Sequence, residues 1–117
     1  MLYKFVRDAN YELNVAVFKP LTEINHQQSG IADVQSVILE SVHTYDGKNL
    51  GPSYATNVFS IINVPVQETF EIGKVTTTTQ TEPGRGIHCF TSTDSPYFNQ
   101  YYEHFLHQLN NMRRARM

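Results

Sequence analysis

Gly84-Arg85-Gly86-Ile87-His88-Cys89-Phe90-Thr91-Ser92-Thr93-Asp94-Ser95-Pro96, followed by Tyr97, Phe98, Tyr101 and Tyr102, reads as turn, strand, polar loop and helix start within one short window. Gly84 and Gly86 punctuate the turn, and Ile87 to Thr91 is apolar and β-branched enough for a strand. Ser95 can cap a helix whose first residue, Pro96, has no N–H to satisfy. From there Phe98, Tyr101, Tyr102, Phe105, Leu109 and Met112 recur at spacings of three and four, which predicts a helix over 96–113 with one aromatic and aliphatic face for packing on a sheet. Arg113, Arg114 and Arg116 suit the negative end of its dipole.

Upstream of this window the chain is β-prone. Leu2–Val6 and Leu13–Phe18 pair as an opening hairpin around the turn candidate Asp8-Ala9-Asn10. Pro20 is expected to stop the second strand, and 19–30 to be a polar loop. Residues 33–45 place Val34, Val37, Ile38, Leu39, Val42 and Tyr45 in a pattern that also fits a helix face; the β-branched residues and the turn Asp46-Gly47-Lys48-Asn49 favour a strand. Residues 56–64 read as a buried strand that Pro65 ends or places at an edge. Val75-Thr76-Thr77-Thr78-Thr79 is too stiff at χ1 for a helix and reads as an exposed edge strand. The expected fold is α+β, a mostly antiparallel curved sheet packed by one C-terminal helix, with residues 1–117 as a single β-rich domain.

Composition narrows the function. Charged residues are only 17% of the chain, so strands and turns are favoured over solvated helices. Outside the three terminal arginines the chain holds six basic against eleven acidic residues, which argues against general nucleic-acid binding. The single cysteine excludes an internal disulfide and an all-cysteine metal site; Cys89 reads as a small apolar core residue, with His88 pointing to the other face of the strand. No apolar run approaches a membrane span, and Met1 to Phe5 lacks a signal-peptide pattern, so a soluble protein of the host or producing cell's cytoplasm, or of a virion, is expected. His104 and His107 share a helix face with Glu103 nearby, but two local histidines fall short of a zinc set, and no metal is expected. No nucleophile elbow, Walker loop or dinucleotide loop is present.

From about Ile31 to Tyr102 the chain resembles a small β-rich domain that accompanies pentapeptide-repeat arrays and occurs free-standing in giant viruses and phages. The residues that carry this are Val34-Gln35-Ser36-Val37-Ile38-Leu39-Glu40 leading to Asp46-Gly47, then Phe70-Glu71-Ile72-Gly73-Lys74-Val75, then Gly86-Ile87-His88-Cys89-Phe90-Thr91. The resemblance implies a viral or phage setting and brings no activity with it. Locally, Gly84-Arg85-Gly86-Ile87-His88-Cys89-Phe90 with a later tyrosine looks like the Gly-Lys-Gly-Ile-Tyr-Phe segment of poly(ADP-ribose) polymerase-type transferases. That likeness implies a stacking role for Tyr97, Tyr101 or Tyr102; the family's ribose-binding histidine has no counterpart in Leu2–Phe5, and Glu103, on the predicted helix, does not fit the family's late catalytic glutamate.

The leading expectation is a non-enzymatic accessory protein that binds a partner protein or a small nucleotide-like ligand. The ligand set is Arg85 for phosphate, His88, then Thr91, Ser92 and Thr93 as donors, with Tyr97 or Tyr101 stacking on a base. Each also has an ordinary role as a turn arginine, a capping hydroxyl or a core tyrosine. An NAD-using transferase and a virion assembly component, pairing through the edge at 76–79 as a homo-oligomer, are the alternatives.

Overall fold

A computed structural model describes residues 1–8, 12–26, 30–47, 54–57, 69–77 and 87–115. In chain order these form β1 (Leu2–Arg7), β2 (Leu13–Pro20), β3 (Asn25–His26), β4 (Ile31–Val34), β5 (Ser36–His43), β6 (Tyr54–Asn57), β7 (Thr69–Glu71), β8 (Val75–Thr77), β9 (Ile87–Phe90) and the helix α1 (Pro96–Ala115). The fold is α+β, a curved antiparallel sheet with one C-terminal helix, as the sequence predicts. Neighbouring strands run β3-β4-β9-β1-β2-β5-β8.

The curvature has a specific origin. β1 pairs with β2 along one edge, while its other edge is divided between β9 at Tyr3 and β6 at Val6 and Arg7. β6 then pairs with β7. The next residue, Ile72, bridges Leu39 of β5, and the Gly73 N–H donates to the Leu39 carbonyl at 2.9 Å. The path β1-β2-β5-β7-β6 thereby returns to β1. Gly73 makes this possible at φ +81°, a left-handed conformation that costs an L-residue with a Cβ far more than glycine.

Closure separates two apolar clusters. Leu2, Val6, Ala16, Phe18, Val34, Val37, Leu39, Val42, Phe70, Ile87 and Cys89, from β1, β2, β4, β5, β7 and β9, form one cluster on the inner face of the sheet. Phe18 and Phe70 anchor this cluster edge to face, with centroids 5.0 Å apart. On the outer face Phe5, Val15 and Phe90 receive Phe98, Phe105 and Leu109 of α1, with Tyr101, Tyr102 and Met112 packed around them. Phe5 stacks on Phe98 at 4.5 Å. The predicted stripe is thus the packing face of the helix, which begins at Ser95, whose Oγ accepts from the Phe98 N–H at 3.1 Å.

The ambiguous segment 33–45 resolves into two strands separated by Gln35, with a bulge in the second. In the β2–β5 register Val17 faces Ser41 and Phe18 faces Leu39, which leaves Glu40 as an extra residue. Val37 and Leu39 point inward before the bulge and Val42 points inward after it. Two shifts of an alternating pattern produced the spacing of three and two that imitates a helix. Pro20 does not stop β2 short but is its last residue, opposite Val37, and the expected loop at 19–30 contains the short strand β3. The helix extends to Ala115, two residues beyond the expected end. The expected turn at Asp8-Ala9-Asn10, the strand at 56–64 past Asn57, and Thr78 and Thr79 lie in whole or part outside the described residues.

Candidate functional site

The bulge at Glu40 has a chemical consequence, because it turns Ser41 and His43 to the outer face of the sheet. Being two apart on one strand they point the same way, and the Ser41 Oγ lies 2.7 Å from His43 Nε2. Ser41 sits in a cross-strand row with Val17 and Tyr3, and His43 in a row with Val15 and Phe5. α1 covers the second row at Phe5 and Val15, through Phe98 and Phe105. In front of Tyr3, Val17 and Ser41 the face opens as a groove of about 390 Å³.

Tyr3, Val15 and Val17 form one side of this groove and Ser41 and His43 another, while Thr44, Tyr45, Asp46 and Gly47 of the turn after β5, with Thr93, complete it. The turn is fixed from two directions. Gly47, at φ +75°, donates its N–H to the Thr44 carbonyl at 2.9 Å, and the Thr44 hydroxyl donates to Asp46 Oδ1 at 2.6 Å. Tyr45 stacks on Tyr102 with centroids 3.7 Å apart, and its hydroxyl donates to Asn99 Oδ1. Desolvation first, and then Tyr102 and Glu103, push the Tyr45 phenol above its ordinary pKa, so it stays a neutral donor at physiological pH. The groove therefore combines an apolar floor, an aromatic wall and convergent hydroxyl, imidazole and carboxylate groups, the chemistry of a small polar ligand site.

Of the residues expected to bind a ligand, Thr93 lies on this groove. Arg85 is outside the described residues. Thr91 is committed to Gly30, donating both its N–H, at 2.9 Å, and its hydroxyl, at 3.2 Å, to the Gly30 carbonyl. Ser92 Oγ accepts from the Asp94 N–H at 3.0 Å, closing a local turn. Tyr97 is exposed on the first turn of α1, whereas Tyr101 packs against Phe90 and Phe105. His88 pairs through Nδ1 with the Asp33 carboxylate on β4, its direct cross-strand neighbour, and Asp33 is 2% exposed. Lys4 Nζ donates to the His88 carbonyl at 2.9 Å. Cys89, on the other face, is buried, and desolvation raises its thiol to about 11, so it is a core residue and no nucleophile.

Sequence reasoning did not reach Ser41, His43 or Asp33. The signal for the first two was the break in alternation at Glu40, visible only once the register with β2 is known. Among the described residues no group of three or more His, Cys, Asp and Glu side chains could hold a metal ion, and no helix is long and apolar enough to cross a membrane. Comparison with family models, with curated proteins and with solved structures returns no match. The two resemblances therefore rest on their quoted motifs alone, and the class is set by fold and site: a curved α+β sheet protein with a polar-rimmed groove beside its helix.

Proposed function

We propose that this chain is a binding protein for a small polar ligand of about nucleoside size, held in the groove on the outer face of β1, β2 and β5. The observation that carries this reading is the uncovered row Tyr3-Val17-Ser41 beside a turn stacked onto the helix. A volume of about 390 Å³ is within the range of small-molecule sites. Val17 offers the apolar floor, Tyr45 the aromatic wall, and Ser41, His43, Asp46 and Thr93 the orienting groups. An accessory role in a virus or phage, implied by the broader resemblance, agrees with a protein that acts by capture.

The test is thermal unfolding against a panel of nucleosides, mono- and cyclic nucleotides, ADP-ribose and NAD, on the unmutated chain and on Val17→Trp and Arg85→Ala, with NAD consumption followed in parallel. A ligand at about 100 times its Kd stabilises by about 2.7 kcal/mol, a shift of several degrees for a domain of this size. The expected result is such a shift with at least one ligand, abolished by Val17→Trp. Loss in Arg85→Ala as well would assign phosphate to that arginine; loss of NAD would favour the transferase alternative. No shift with any ligand, or a shift indifferent to Val17→Trp, overturns the groove reading.

A second reading has its own observation. Among the described residues β8 ends the strand order, and Ile72 before it and Val75 within it are 45% and 57% exposed, which suits pairing with another copy of the chain. Light scattering across a concentration series decides it: a monomer at every concentration removes the assembly reading.

A further inference from the structure

The Ser41–His43 pair carries more than ligand orientation. Both side chains are only half-buried, so neither needs the other to satisfy a buried polar group. Their spacing of two on one strand puts them on the same face, and the bulge at Glu40 makes that face the outer one. They face an open groove, and the Oγ to Nε2 distance of 2.7 Å is that of a nucleophile and its base. With the ring proton on Nδ1, Nε2 accepts from the serine hydroxyl.

We propose that Ser41 is a nucleophile toward acyl carbonyls and His43 its general base, with short-chain carboxylic esters as the substrate class; this rests on the groove reading. Ser41 Oγ bonds to the carbonyl carbon while its proton passes to His43 Nε2. The tetrahedral adduct collapses, the carbon–oxygen bond to the alcohol breaks, and the alcohol leaves with the proton from His43. Water then adds to the acyl-serine, giving a proton to Nε2, and the second collapse releases the carboxylic acid and returns the proton to Ser41. Tyr3 and Thr93 line the same groove, and each carries a hydroxyl that can donate to the developing oxyanion. Val17, with Val15 buried under α1, leaves only a small apolar floor beside Ser41, which is why short chains are specified.

The test is reaction with p-nitrophenyl acetate, followed by p-nitrophenol release and by peptide mass mapping, for the unmutated chain, the same chain denatured, Ser41→Ala and His43→Gln. General-base assistance contributes roughly 100-fold or more, so release by the native chain should exceed that of Ser41→Ala and of the denatured chain at least about tenfold. The acetyl group should map to Ser41, and His43→Gln should slow its formation at least about tenfold. A smaller ratio, or acetylation at other residues only, overturns the proposal. Mapping on the unmutated chain decides even where a variant fails to fold. A ligand shift in the unfolding panel without acetylation leaves the groove standing and the nucleophile refuted; absence of both removes both.

Discussion

At the scale of single residues, two groups in the sheet show how burial restricts chemistry. Asp33 is buried and held against His88 across the β4–β9 register, so the carboxylate enters the sheet with a partner already opposite it. Cys89 is the opposite case, a titratable group kept neutral. Its thiol rises from 9.0 to about 11 because burial penalises the thiolate, with Lys4 opposing the shift and Asp33 adding to it. The folded chain holds this proton more tightly than the unfolded chain, so the stabilisation is full below pH 9 and is lost as pH rises toward 11. Measured as the stability of the unmutated chain minus that of Cys89→Ala, the loss over this window should reach at most about 3 kcal/mol. A difference independent of pH would show that the thiol is not desolvated.

Among the elements, β5 is the one whose irregularity matters. One extra residue, Glu40, lets Val37, Leu39 and Val42 all reach the inner cluster while Ser41 and His43 face outward. Deleting Glu40 joins Leu39 directly to Ser41 in the register they already hold against Phe18 and Val17, so strict alternation returns with Val42 still inside and Ser41 and His43 still outside. The deletion should therefore leave the urea midpoint nearly unchanged, within the roughly 0.5 kcal/mol usual for a change that touches no core contact. Urea unfolding of the deletion variant checks this. A loss of several kcal/mol would mean that the pairing of β5 with β2 is not the one described.

For the whole molecule, the two clusters make different demands on stability. Phe70 is fully buried inside the closed path, and Phe98 lies between α1 and the outer face at 1% exposure. Either residue changed to alanine should cost about 3–5 kcal/mol, a large share of a total of 5–15 kcal/mol. The expected difference is spatial. Phe70→Ala should speed amide exchange at Gly73, whose hydrogen bond to Leu39 closes the sheet, more than within α1; Phe98→Ala should do the reverse. Equal loss of protection at both places in both variants would show that the clusters unfold as one unit.

Much of this architecture was legible in the sequence because it depends on local chemistry. Ser95-Pro96 can start a helix wherever it lies, the spacing from Phe98 to Met112 makes one apolar face, and Leu2–Val6 with Leu13–Phe18 alternate as strands do. Those signals determined the α+β class, the opening hairpin, the helix start and the burial of Cys89. Pairing decided the rest. Which face Ser41 and His43 occupy depends on a bulge defined only against β2, Asp33 meets His88 only across strands 55 residues apart in sequence, and closure through Ile72 and Gly73 joins segments with no common local pattern. A residue's own neighbours in the chain set its backbone preference, but the partner strand sets its register, and the candidate site is a product of register.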